Sequence, residues 1–307
     1  MGMLVKGRWR DEDQLHINGH YQRPVSVFDG EIEGEHLKQA RNQPGRYVLI
    51  GSASCPWSHR CILVRAVEGL EGMIPIHLAH GPRVEGYALD GGKEWPIPGT
   101  RNTARHLHQL YSLSEPAYTG RSTVPVLWDR ETCRIVSNES SQIVAFLAAL
   151  GGRGRLFPTP TAAAQEELQL RMHEALNNGV YRAGFAESQE AYDEAVVEVF
   201  TMMDELEERL GDHSFLMGKA LSYADLQLFV TLVRFDPVYY ILHRCCLKRL
   251  VDYPRLWRWA RRIYQMPGVS DTVDWGAICR ASYANDTRHA QPAIVPVLPL
   301  ADWWQLP

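Results

Sequence analysis

The chain has 307 residues, 45% of them hydrophobic and 22% charged, with a formal net charge of −4. That balance describes a globular protein with a sizeable core and room for two ordinary domains, and it offers no excess positive charge to a nucleic acid. No run of about 18 apolar residues exists to span a bilayer. The opening stretch MGMLVKGRWRDEDQ lacks the apolar centre of a secretory signal. Six cysteines, none in a CxxC pair or spaced with histidine as metal ligands, are too few for a disulfide scaffold and predict no metal. A reduced, cytoplasmic protein is expected.

Residues 1–44 are polar and irregular and are expected to form an N-terminal extension. GRYVLIGSA (45–53) then reads as a buried strand, rich in Val, Leu and Ile. PWSHRCILVRAVEGL (56–70) reads as a helix, with Pro56 suited to its first turn. MIPIHLAH (73–80) alternates like a second strand, which makes strand–helix–strand, the unit of parallel sheets. Residues 81–102 form a long Gly- and Pro-rich loop, a length that is often functional. A short helix near 103–113 follows. TVPVLWDRETCRIVSN (123–138) reads as two strands around the turn Asp129–Arg130–Glu131, and ESSQIVAFLAAL (139–150) as a helix capped by Ser137 or Asn138. A hairpin joined to a parallel pair requires a mixed sheet.

GGRGRLFPTP (151–160) is the clearest linker. Beyond it, residues 161–270 are helical in character. Val199, Met202, Met203, Leu206 and Leu210 make one apolar stripe, and Leu256, Trp259, Ala260 and Ile263 another, both read as core. SYADL (222–226) carries a capping box, Ser222 with Asp225. Arg255, Arg258, Arg261 and Arg262 read as the solvated face of one helix. Residues 271–307 form an irregular tail. The organisation is therefore α/β plus all-α, with a mixed-sheet domain at 45–150 and a helical domain at 161–270.

One thiol stands out. Cys55, in SASCPWSHRC (52–61), sits between strand and helix, where unpaired N–H groups and the helix dipole favour negative charge. A thiol so placed is pushed toward its nucleophilic thiolate. His59 and Arg60 follow within about one turn and add positive potential. Cys61, inside an apolar run, reads as a small buried hydrophobe.

Cys-Pro-Trp-Ser-His-Arg after a strand, Val124–Pro125 opening the next, and Glu139–Ser140 opening a helix resemble the thioredoxin-like glutathione transferases. YTGRSTVPVLWD (118–129), SNES (137–140), NNGVYRAGFA (177–186) and RFDPVYY (234–240) narrow the resemblance to the xi class, the glutathionyl-hydroquinone reductases. It covers about residues 45–285. It implies a thioredoxin-like N-terminal domain and a helical transferase C-terminal domain. It also implies glutathione as co-substrate, an aromatic glutathionyl-hydroquinone as partner, and a homodimer. Cys55 is implied as the nucleophile, with a cis peptide before Pro125 exposing the Val124 backbone to pair with glutathione. Glu139 and Ser140 are implied to hold the γ-glutamyl end, Arg121 the glycyl carboxylate, and Trp95 to pack on the tripeptide. Tyr181, Tyr239 and Tyr283 are implied to line the aromatic pocket.

The implied reaction is reductive deglutathionylation. Cys55 attacks the glutathione sulfur, hydroquinone leaves, and a second glutathione resolves the mixed disulfide. Ser58 stands where a dithiol motif would carry its resolving cysteine, so that thiol comes from outside. An omega-like thiol transferase or dehydroascorbate reductase uses the same cysteine and stays open, as does a non-catalytic transferase-like interaction module.

Overall fold

The computed structural model describes residues 2–11, 16–17, 20–21, 28, 32, 34–152, 154–211, 213–286, 294–297 and 302–305. In chain order its elements begin with β1 (Met3–Val5), β2 (Arg8–Arg10), β3 (His16–Ile17), β4 (His20–Tyr21), α1 (Gly34–Asn42), β5 (Tyr47–Gly51), α2 (Pro56–Val67) and β6 (Ile76–Leu78). Then come β7 (Trp95–Pro96), β8 (Thr103–Ala104), α3 (His108–Ser114), β9 (Val126–Asp129), β10 (Arg134–Ser137) and α4 (Ser140–Gly151). The helices α5 (Ala162–Met172), α6 (Gly179–Gly184), α7 (Gln189–Leu210), α8 (Tyr223–Leu232), α9 (Tyr240–Leu242), α10 (Pro254–Tyr264) and α11 (Trp275–Ala284) complete the series. The chain divides into two compact units, one of residues 1–14, 24–152 and 272–295, the other of 15–23, 153–271 and 296–307.

The first unit is thioredoxin-like. Its four-stranded sheet runs β10-β9-β5-β6, with β5 and β6 parallel and the other pairs antiparallel. Every residue of β5 is buried, as an interior strand with both faces covered requires. Helices α2 and α4 pack together, and α3 packs against β10. Gly51 ends β5 where a Cβ would lie 3.2 Å from that of Ser58, so glycine allows the first turn of α2 to close on the strand. A bidentate pair at the sheet's other end joins Arg46 to Asp129, Nε to Oδ1 and Nη2 to Oδ2, each at 2.9 Å.

The polar first 44 residues hold more structure than their pattern suggests. β1 pairs with β2, and Leu4, fully buried, bridges to Gly120 through reciprocal 2.9 Å backbone bonds. Helix α1 buries only Ala40, too narrow a stripe to declare itself. The tail also departs from expectation: 275–284 is helix, N-capped by Asp274, whose carboxylate accepts from the Ala277 amide at 2.8 Å. Helix α11 falls within the first unit.

In the second unit α7 buries Val199, Met202, Met203, Leu206 and Leu210, and α10 buries Leu256, Trp259, Ala260 and Ile263. Asp225 accepts from the Ser222 amide and hydroxyl, the Leu216 amide and Trp259 Nε1, at 2.8–3.0 Å. It thereby caps α8 and fastens it to α10. The arginines of α10 do more than face water. Arg261 is buried, and Arg258 and Arg262 donate to the carbonyls of Gly211 and Ser214, closing off the end of α7.

Candidate active site

The turn 52–54 carries the chain from β5 to α2, and the Cys55 amide donates back to Ser52 O at 3.0 Å. Cys55 is the N-cap of α2 in extended conformation, with Pro56 at the first helical position. Its sulfur accepts from the Ser58 amide at 3.4 Å and donates to Val124 O at 3.5 Å. The Val124–Pro125 peptide is cis. The cap position turns the sulfur toward the leading N–H groups of α2, of which that of Ser58 donates to it. Cys61 lies inside the helix: it is fully buried, bonded to the Trp57 and Ser140 carbonyls, and its thiol is pushed well up by burial. His59 reaches Thr272 Oγ1 at 2.8 Å, and the Arg60 guanidinium lies 6.0 Å from the Trp57 ring centroid.

Glu139, not Ser137 or Asn138, caps α4. Its Oε1 accepts from the Ser141 amide at 3.1 Å and hydroxyl at 3.2 Å, and from Ser140 Oγ at 3.5 Å. Ser137 instead accepts from the Glu139 amide, and Asn138 is occupied with Phe28 and Tyr111. The residues expected to hold the γ-glutamyl end thus lie at a helix N-terminus, a natural seat for a carboxylate. Arg121 is held by its carbonyl, which accepts from Tyr118 at 2.8 Å, and burial lowers its guanidinium to a pKa of about 10. Trp95, on β7, stacks against His77 of β6 with centroids 4.4 Å apart.

Tyr283 belongs to α11 and hence to the first unit. Burial, with Cys279 and Asp286 adding, raises its hydroxyl above the ordinary tyrosine range, so it keeps its proton at neutral pH. Tyr181 and Tyr239 meet in the second unit, hydroxyls 3.2 Å apart and rings edge-to-face at 5.6 Å. Tyr239 closes a π-helical turn at 235–239, and a second such turn at 173–177 precedes α6, which carries Tyr181. Such turns cluster at functional sites.

Two groups escaped the sequence pattern. His243, four residues beyond Tyr239, stands 5.1 Å from both tyrosine rings and 5.5 Å from Phe185. Its Nδ1 donates to Val180 O at 2.7 Å, and Gly184 makes room for it, since a Cβ there would lie 2.4 Å from the imidazole. The i+4 spacing was the available signal. Arg83, in the long loop, gave none, yet its Nη2 donates to Ser54 Oγ at 3.0 Å.

Residues 54–150 match the glutathione S-transferase N-terminal domain family, and residues 189–262 the glutathione S-transferase C-terminal domain family. The chain is 38% identical to glutathionyl-hydroquinone reductase PcpF of Sphingobium chlorophenolicum, over 97% of this chain and 96% of that protein. It is 39% identical to glutathionyl-hydroquinone reductase YqjG of Escherichia coli K12, over 91% and 89%. The chain belongs to the xi class of glutathione transferases. The crystal structure of the xi transferase from Phanerochaete chrysosporium superimposes with a TM-score of 0.84 at 35% identity, covering 94% of this chain and 95% of that one. The glutathione-bound structure of YqjG gives 0.80 at 38% identity, covering 86% and 88%. The N-terminal match begins one residue before Cys55 and spans Arg121, Pro125 and Glu139; the C-terminal match includes Tyr239. Among the described residues, no helix is long and apolar enough to cross a membrane, and no cluster of three or more His, Cys, Asp or Glu is arranged to hold a metal ion.

Proposed function

We propose that this xi-class transferase reductively deglutathionylates glutathionyl-hydroquinones. The Cys55 thiolate attacks the glutathione sulfur of the thioether. The sulfur–carbon bond breaks, its electron pair stays with the ring carbon, and that carbon takes a proton from a tyrosine hydroxyl or water. Hydroquinone departs, leaving Cys55 in a disulfide with glutathione. A second glutathione thiolate attacks the glutathione sulfur of that disulfide, releasing oxidised glutathione and the Cys55 thiolate. Two sulfurs, one from the thioether and one from the second glutathione's thiol, are oxidised while one carbon is reduced.

The observation that carries this reading is Cys55 at the head of α2, with its sulfur on the Ser58 amide and a serine where a second thiol would stand. A conjugating transferase stabilises the thiolate of glutathione itself and needs no protein sulfur there. Glutathione is placed as an added strand along Val124 beside Pro125, with its glycyl carboxylate on Arg121, its γ-glutamyl end at Glu139 and Ser140, and Trp95 packing on the tripeptide. Tyr181, Tyr239 and Tyr283 receive the aromatic ring, and a hydroxyl among them, or water, supplies the proton to carbon. The likeness to two reductases of this name at 38% and 39% identity supports the substrate class. A cytoplasmic homodimer completes the proposal.

The test is a glutathione-dependent assay on a glutathionyl-hydroquinone thioether, comparing wild type with Cys55→Ala beside a chloronitrobenzene conjugation control. Thioether reduction that disappears in the variant supports the reading. Conjugation by wild type that survives the substitution replaces it with an ordinary transferase.

A further inference from the structure

Helix α11 is tied down at both ends. Ahead of it, Thr272 Oγ1 lies 2.8 Å from Nε2 of His59, one turn beyond Cys55 on α2. Behind it, Asn285 Oδ1 accepts from the Arg83 amide at 3.1 Å, while Asn285 Nδ2 returns to Ala281 O at 2.7 Å. Arg83 also sends Nη2 to Ser54 Oγ at 3.0 Å and rests its guanidinium 4.1 Å from the Tyr87 ring centroid. Ser54 immediately precedes Cys55, and Asn285 lies two residues past Tyr283. A single residue of the long loop therefore joins the neighbour of the nucleophile to the neighbour of the tyrosine.

We propose that Arg83 is a positioning residue that sets Tyr283 relative to Cys55 for cleavage of the sulfur–carbon bond. This rests on the activity proposed above. Packing does not account for the arrangement: residues 81–86 lie at the surface, Arg83 is only partly buried, and the adjacent Val84 is 74% exposed. The chemistry of the side chain does. A planar guanidinium can stack on Tyr87 while directing one N–H in plane to Ser54, and lysine's ammonium cannot do both. The Ser54 hydroxyl is fixed in turn by Ser52, 3.2 Å away.

The two half-reactions place different demands on this latch. Thioether cleavage delivers a proton to carbon and needs the tyrosine aligned with the sulfur. Discharge of the Cys55–glutathione disulfide is a sulfur-to-sulfur exchange with no carbon to protonate. A misplacement of about 1 Å costs on the order of 100-fold in an aligned step.

The experiment measures both half-reactions separately in Arg83→Ala, Arg83→Lys and Asn285→Ala, with thermal melts confirming the fold. Cleavage is expected to slow about 10- to 100-fold in Arg83→Ala. Discharge of the preformed disulfide by glutathione should stay within about 2-fold, as expected when the exchanging sulfurs keep their geometry. Arg83→Lys should behave like alanine, and Asn285→Ala, which cuts the other end, should show the same split. Adding Arg83→Ala to Tyr283→Phe should cost nothing further. Unimpaired cleavage in Arg83→Ala, or equal loss in both half-reactions of a folded protein, overturns the assignment. Wild type that fails to cleave the thioether overturns the proposed activity and this assignment together.

Discussion

The Cys55 thiol donates to the carbonyl of Val124 at 3.5 Å, so the proposed nucleophile and the backbone proposed to hold glutathione are in direct contact across 69 residues of chain. That contact, with the Ser58 amide on the other side of the sulfur, makes Cys55 unlike the other cysteines of the protein.

Alkylation with iodoacetamide at neutral pH should separate them. Cys55 is expected to label, and S-methylglutathione should protect it. Cys246, exposed, should label with or without that ligand. Cys61 and Cys245 should not react, because burial pushes the first thiol well up and the second to about 12. Peptide mapping after a timed quench reads all four.

The tyrosine pair should act as a unit. Tyr181→Phe and Tyr239→Phe each remove one partner of the same 3.2 Å contact. In a double-mutant cycle on kcat/KM for thioether reduction, the double variant should fall short of the summed losses by about 1 kcal/mol. Strict additivity would show that the two hydroxyls work apart.

Arg121 gives a pH signature for glutathione binding. Its guanidinium is charged at neutral pH and loses its proton near pH 10 because burial disfavours the cation. Affinity for S-methylglutathione, which has no thiol to titrate, should hold through neutrality and fall as pH rises through about 10. Arg121→Gln should weaken binding about 10- to 100-fold at pH 7, the loss of one charge-assisted bond, and should leave only the shallower alkaline fall that the ligand's own α-ammonium contributes. Calorimetric titration reads both.

The pair Arg46–Asp129 governs acid stability of the first unit. Burial works to raise the Asp129 carboxyl, but hydrogen bonds from Arg46, the Glu131 amide and Thr132 outweigh it and leave the carboxyl below its ordinary 3.8. The unfolded chain then binds the proton first, so this stability is present above pH 3.8 and lost as pH falls through the lower folded value. Asp129→Asn should cost about 3 kcal/mol at pH 7 in denaturant melts, and the difference from wild type should shrink below pH 3.8.

How much of this was legible in the chain depended on whether a residue's role left a periodic trace. The strand in GRYVLIGSA and the helix start at Pro56 declared themselves, because buried strands and helix starts write distinctive local patterns. Helix α11 did not: WGAICRASYA buries only Ile278, Cys279 and Tyr283, too few to build a stripe. Glu139 was missed as a cap because glutamate is not among the usual cap residues. Arg83 was invisible for a deeper reason. Its partners Ser54 and Asn285 lie 29 and 202 residues away, and only the fold brings them to one side chain.

The most direct test is a single turnover without added glutathione, in which enzyme in excess meets a glutathionyl-hydroquinone and Cys55 is read by mass spectrometry. One glutathionyl group on Cys55 for each hydroquinone released is the predicted result. Hydroquinone release with Cys55 unmodified, or with the group on another cysteine, would contradict the mechanism.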